Sequence, residues 1–545
     1  MSATYDYIVV GSGSAGSVLA NRLSASGQYT VLCLEAGTEG SDYFWSRVPI
    51  GMAKLIDRPA VNWCYESEPD AGSGGRRIPV PRGKMLGGSS SINGMVFVRG
   101  QPQDYDHWAQ LGNRGWSYRD VLPLFRKMES YDGGEDEFRG RDGPLRVTDT
   151  PTEISPLHRR MIASAEKVGI PYTKDYNGGD QEGIGITQVT INKGRRQSTA
   201  YCYLDPARNR ANLTIESGAM AESLILEGKT CAGVRYSVNG EKREAQANRE
   251  VIVSTGSINS PKLLELSGIG QSDLLREKGI TPVHELRGVG ENLRDHYSPR
   301  VRFSITEKGA TFNDNGRGWR LWREAAKYAL TGQGFFAMTA APIRMYFKTR
   351  EGLESPDAAI AMTPFLYELD RDGHLQIAKQ RGVTLNINVL RSESVGSIHI
   401  KSANPFEPPA INFNFMSSEY DRQGTVAAIR KAREVFATPP LSDVVGEELA
   451  PGPAVQSDKE LVQWICNFAE TTYHPVGTCK MGADPMAVVD DRLRVHGIEG
   501  LRVADASIMP TLTSGNTNAP SIMIGEKCAE MVLADAAEAG ARAAA

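Results

Sequence analysis

The chain has 545 residues, too many for one hydrophobic core, so two large domains are expected. About 40% of its residues are hydrophobic and 23% charged, and the net charge of −4 is spread along the chain, which excludes the concentrated basic footprint of a nucleic-acid partner. Seven cysteines are scattered, without C-x-x-C pairs or Cys/His clusters at zinc spacing, so a reducing, cytoplasmic setting is expected and a structural metal is not.

In chain order, residues 7–10 form a short β-branched run that ends on glycines and reads as a buried strand. No positive segment precedes it, and no apolar run is long enough to cross a membrane, so neither a signal peptide nor a spanning helix is expected. A helix follows over residues 15–24 and a second buried strand over 30–35, the β-α-β opening of a doubly wound sheet. Residues 68–83 and 131–143 are Gly-rich loops. Val251, Ile252 and Val253 form another buried strand before Gly256, with a helix expected over residues 260–266. From about 300 to 465 the period changes to two. Val383, Leu385, Ile387 and Val389 alternate with polar residues, Phe413 and Phe415 alternate with asparagines, and Ile398 and Ile400 bracket His399. That pattern predicts a half-buried antiparallel sheet. The Ala/Glu/Gly-rich tail after Ala537 reads as frayed.

Gly11-Ser12-Gly13-Ser14-Ala15-Gly16 joins the first strand to the first helix. Glycines there allow a tight turn, close approach to a pyrophosphate and tight helix–strand packing, with the helix N-terminus facing the phosphates. Glu35, at the end of the second strand, suits the two ribose hydroxyls of an adenosine and would repel a 2′-phosphate. This motif does not separate FAD from NAD.

Two later segments bear on the cofactor. Gly83-Lys84-Met85-Leu86-Gly87-Gly88-Ser89-Ser90-Ser91-Ile92-Asn93 and Gly256-Ser257-Ile258-Asn259-Ser260-Pro261-Lys262-Leu263-Leu264 resemble the two signatures of the glucose–methanol–choline (GMC) oxidoreductases. The resemblance extends to Gly288–Leu293, Tyr473-His474-Pro475 and Gly515-Asn516-Thr517-Asn518, and is strongest to the bacterial choline and alcohol dehydrogenases. It implies an α/β fold: a Rossmann-like FAD-binding domain (1–152, 193–300 and 466–536) interleaved with a substrate domain on an antiparallel sheet (153–192 and 301–465). With the glycine motif, it implies FAD contacts at Gly11, Gly13, Ser14, Ala15, Gly16, Glu35 and Ala36. Further contacts are implied at Arg82, Gly87, Ser90, Asn93, Gly94, Val96, Ala221, Thr255, Gly256, Asp505, Ala506 and Thr517. Ile92 stands where some members attach FAD through histidine, so a non-covalent flavin is expected.

An alcohol donates hydride poorly until its hydroxyl proton leaves, so the site needs a base, most often histidine. Of eight histidines, His474 matches the family's catalytic position, while the other seven read as surface or structural. Asn518 is expected to orient the substrate oxygen; an amide can hydrogen-bond but cannot act as a base. A helix beginning near Pro520 would aim its positive end at the flavin. Tyr473 is expected to line the pocket, and Lys480 to be solvated. The expected reaction is oxidation of a primary alcohol to the aldehyde by hydride transfer to flavin N5, with electrons passed to oxygen, a quinone or another acceptor. Three rivals stay open: a cyanohydrin lyase or photodecarboxylase on the same fold, an idle flavoprotein, and an NAD-dependent dehydrogenase.

Overall fold

The computed structural model describes residues 3–40, 43–150, 155–369 and 375–544. His374 lies outside them. Apolar alternation and glycine punctuation divide the chain into two large sheets. In chain order the framework elements are β1 (Ala3–Val10), α1 (Ser14–Ser24), β2 (Val31–Glu35), β3 (Gly183–Ile186), β4 (Leu213–Ser217) and β5 (Ala219–Glu227). There follow β6 (Thr230–Val238), β7 (Glu241–Val253), α2 (Gly256–Leu266), β8 (Arg300–Ile305), α3 (Gly318–Thr331), β9 (Ile343–Phe347) and β10 (Ala358–Thr363). The last are β11 (Gly382–Val389), α4 (Glu419–Phe436), β12 (Val445–Ala450), β13 (Leu501–Val503) and α5 (Asn518–Ala544).

The first sheet has the order β4-β2-β1-β7-β6-β5, with β13 also paired to β7. β4, β2, β1, β7 and β13 pair in parallel, and β5 and β6 add an antiparallel flank. The parallel strands are covered on both faces, which explains why Val9, Val10, Leu32, Leu34 and Val251–Val253 read as unbroken apolar runs. α1 lies against α5, whose Ile522, Met523 and Val532 are buried.

The second sheet is antiparallel, in the order β12-β8-β11-β10-β9-β3. Its period of two is sharp. Val383, Leu385 and Ile387 of β11, Ile360 and Met362 of β10, and Ile343 and Met345 of β9 join one apolar core with Val426, Ile429 and Val435 of α4. Each such buried side chain contributes about 1.5–3 kcal/mol. The alternate residues, Asn386, Asn388, Ala359, Ala361, Arg344 and Tyr346, face a cavity between the sheets.

Three expectations differ from the structure. Phe413 and Phe415 lie past the end of the strand Ala410–Asn412, and their rings stack at 4.5 Å; positive φ at Asn414 and Met416 ends the extended run. The strand Ser397–His399 pairs only with Ala410–Asn412 and stands apart from the main sheet. The tail continues as helix to Ala544, as its alanines favour. No helix among the described residues is long and apolar enough to cross a membrane.

Candidate active site

A cavity of about 1130 Å³ runs from the first-strand glycines to the face of the antiparallel sheet. At one end the strand β1 turns into α1. Gly11 has φ +94°, and a Cβ there would sit 2.5 Å from the Ser254 carbonyl oxygen, so only glycine fits. Glu35, buried at the end of β2, accepts from the Ser12 amide (3.1 Å), the Ser12 hydroxyl (2.7 Å) and the Gly37 amide (2.8 Å). The starts of α1 and α5 meet at this wall, where the Ser14 hydroxyl donates to Asn518 Oδ1 at 2.8 Å. Two helix N-termini thus bring positive partial charge to one place, as a pyrophosphate requires.

Gly11, Gly13, Ser14, Ala15, Glu35, Ala36, Arg82, Asn93, Gly94, Val96, Ala221, Thr255, Gly256, Asp505, Ala506 and Thr517 all line the cavity, as do His474, Tyr473 and Asn518. The length of the space, its glycine cradle and its paired helix ends fit a dinucleotide such as FAD. Gly16, Gly87 and Ser90 stand one layer back. A Cβ on Gly16 would lie 1.9 Å from the Gly11 carbonyl oxygen, so this glycine serves helix–strand packing. Gly87 has φ +82° and faces Ser91 and Ala200. The Ser90 hydroxyl donates to the Gly87 carbonyl at 2.6 Å.

At the other end stands His474. A two-residue antiparallel ladder pairs Tyr297 with Thr471 and Ser298 with Glu470, and the Thr472 amide donates to the His296 carbonyl at 3.0 Å. This ladder sets His296 beside His474, with the rings edge-on and their Nδ1 atoms 3.0 Å apart. The buried Asp295 carboxylate accepts from both backbone amides, 2.7 Å from His296 and 2.9 Å from His474. Burial lifts its pKa to about 7. Tyr473 adopts φ +68°, and its carbonyl accepts from Arg82 at 2.5 Å. A non-glycine residue held there is strained, a common feature of sites whose side chains must be aimed.

Hydrogen-bond logic fixes the protons. His296 Nε2 lies 2.8 Å from the Leu390 carbonyl, which can only accept, so Nε2 carries the hydrogen. Burial lowers the His296 pKa to about 4, so the ring is neutral and its Nδ1 holds a lone pair. His474 Nδ1 must then donate to it, with Thr472 Oγ1 also at 3.0 Å. The lone pair of His474 is left on Nε2, where the Asn516 amide nitrogen donates to it at 2.8 Å. Burial, with the Arg82 and Arg344 cations, holds the His474 pKa well below the usual value, so the ring is neutral and its Nε2 lone pair is free for a proton.

The amide beside His474 is therefore Asn516, not Asn518. Asn516 lies in the loop before α5, and Arg344 holds its Oδ1 at 3.1 Å, turning Nδ2 toward the imidazole. Asn518 is the first residue of α5 and is turned to Ser14. His296 is the functional candidate that a residue-by-residue reading misses, although it stands three positions after the Gly288–Leu293 run already singled out. His399 has a structural place between Glu265 and Glu291, and Lys480 pairs with Asp484. No metal-binding cluster occurs among the described residues.

Residues 5–298 and 392–525 match the N-terminal and C-terminal GMC oxidoreductase family models. An oxygen-dependent choline dehydrogenase of Vibrio vulnificus (strain YJ016) is 41% identical over 98% of this chain and 95% of the relative. One of Escherichia coli O127:H6 (strain E2348/69 / EPEC) is 42% identical over 97% and 95%. Among solved structures, pyridoxine 4-oxidase from Mesorbium loti is similar at TM-score 0.86 and 29% identity, over 96% of this chain and 98% of that one. A formate oxidase of Aspergillus oryzae RIB40, solved to follow its FAD modification, gives TM-score 0.91 and 26% identity, over 98% of each chain.

Proposed function

This chain belongs to the GMC oxidoreductase family, and from that premise we propose that it oxidises a primary alcohol to the aldehyde, with His474 as proton acceptor and Asn516 holding the substrate oxygen. It is an FAD-dependent enzyme acting on CH–OH donors. FAD, when bound, supplies the hydride acceptor at flavin N5. In this reading the cradle of Gly11, Gly13 and Ser14 holds the pyrophosphate, Glu35 and Ala36 the ribose, and Ala221 the adenine. Arg82, Asn93, Gly94, Val96, Thr255, Gly256, Asp505, Ala506 and Thr517 line the rest. The parallel sheet forms the cofactor domain (1–152, 193–300 and 466–536), and the antiparallel sheet the substrate domain (153–192 and 301–465).

The substrate hydroxyl takes the place of the Asn516–His474 bond. It accepts from Asn516 Nδ2 and gives its proton to His474 Nε2. The new imidazolium keeps its Nδ1–H bond to His296, so the ring does not turn as it charges. The observation that carries this reading is the meeting of His474 and Asn516 in the same cavity as the dinucleotide cradle. Nothing in the site or in the relatives named above favours a lyase. The electrons leave to oxygen or to a quinone. Seven free cysteines support a reducing compartment such as the cytoplasm.

The test is anaerobic mixing of the yellow holoenzyme with alcohols. His474→Ala should slow flavin bleaching on the order of a hundredfold or more; a normal rate would refute the assignment. Ile92, buried on the cavity wall, offers no atom for a flavin bond, so acid denaturation should release free FAD. Pigment retained on the precipitated chain would show a covalent link elsewhere.

A further inference from the structure

We propose that the alcohol taken by this site carries a carboxylate, and that Arg344 binds it. The proposal rests on the alcohol-oxidation reading above and names its substrate class.

Arg344, Ala361, Asn386 and Arg300 are register partners across β9, β10, β11 and β8, and form one row on the cavity face. Arg300 is neutralised at 2.8 Å by Glu470. Arg344 is not. It is 8% exposed, and its Nη1 donates to neutral groups, Tyr346 Oη at 2.9 Å and Asn516 Oδ1 at 3.1 Å. Its Nε is buried and has no partner. Among the described residues no carboxylate meets it. A buried cation without a counter-charge is costly, and a binding site is where a ligand supplies one.

The surroundings agree. Ala361 and Ala359 leave space above the sheet beside Arg344. Arg302, further along the same face, lies 4.9 Å over the Tyr367 ring, so that aromatic face is already taken by a cation. The relatives are named for choline, a quaternary ammonium alcohol; this wall would repel such a cation. A guanidinium fork instead matches a carboxylate.

Arg344 and His474 share one amide, Asn516. A carboxylate on Arg344 therefore lies close to a hydroxyl on His474, and about one to three carbons span the gap. Arg344 is also one of the charges that hold the His474 pKa down. A bound carboxylate cancels that repulsion, so the base strengthens as the substrate arrives. The balance of the reaction is unchanged: the hydroxyl proton goes to His474, the C–H electron pair leaves as hydride to FAD, and the aldehyde acid forms.

The test compares β-hydroxypropanoate, n-propanol and choline in anaerobic flavin bleaching. The hydroxy acid should exceed n-propanol in kcat/KM by about ten- to a hundredfold, with choline slowest. In Arg344→Gln, which keeps a neutral donor but ends two bonds short of the guanidinium Nη1, that ratio should fall to about one, while Arg344→Lys keeps part of it. Wild-type bleaching as fast with n-propanol or choline overturns the proposal. So does an Arg344→Gln variant that slows all three by one factor, because Arg344 then acts only through Asn516. A second readout needs no turnover: propanoate should perturb the flavin visible band saturably in the wild type and not in Arg344→Gln. No perturbation of the wild type overturns the proposal even if the variant fails to fold. Should no alcohol bleach the flavin, the oxidation reading fails, and the propanoate titration still decides the anion site.

Discussion

Replacing His296 with leucine probes the part of the site that only packing created. In the native arrangement His474 Nδ1 has two acceptors, His296 Nδ1 and Thr472 Oγ1, each at 3.0 Å. Leucine removes the first acceptor and the edge-on ring contact, and leaves the second. A neutral hydrogen bond is worth about 1 kcal/mol and such a ring contact about as much. The loss of about 2 kcal/mol corresponds to roughly a thirtyfold slower flavin reduction. His296→Leu/Thr472→Val leaves Nδ1–H with neither acceptor, so the proton moves to Nε2 and the base is lost. That double variant should approach the deficit of His474→Ala, about a hundredfold or more. Anaerobic stopped-flow reduction across pH is the assay. Because the neutral His296 accepts from His474 and so favours the imidazolium, the acid limb of the profile should move to lower pH in His296→Leu, which simple loosening would not produce. A single variant within twofold of wild type, with an unmoved acid limb, would refute the tautomer argument.

Three further outcomes are expected. Asn516→Ala removes the donor beside His474 and should slow reduction about a hundredfold. Asn518→Ala breaks the link between two helix starts and should chiefly cost about 1 kcal/mol of stability in a thermal melt; equal kinetic effects from both would restore Asn518 to the site. The third concerns His399. Burial opposes its charge, but Glu265 and Glu291 outweigh it and raise the pKa to about 9. A raised pKa stabilises the fold fully below the unfolded value, about 6.5, and that stability is lost as pH rises through about 9. The contribution is up to about 3 kcal/mol. Melting temperature should therefore fall between neutral and alkaline pH more steeply than in His399→Gln; parallel curves would contradict the linkage.

What was legible in the chain itself is what depends on contiguous residues. The turn Gly11–Gly16, the carboxylate of Glu35 and the alternation from Val383 to Val389 each act within a few residues, so their geometry follows from local chemistry. The identity of the amide beside the base did not. Asn516 and Asn518 differ by two positions, and the start of α5 with the reach of Arg344 from β9 decides between them. Phe413 and Phe415 alternate as a strand would, yet positive φ at Asn414 ends the strand before their rings stack. The His296–His474 pair joins segments far apart in sequence through a two-residue ladder, a contact that no local period announces. The uncompensated charge of Arg344 is likewise a property of what does not stand near it. Short-range covalent geometry wrote the cofactor cradle into the sequence, whereas the placement of protons and charges at the reacting end came from long-range pairing of two sheets, whose energy is shared among many residues and encoded in none alone.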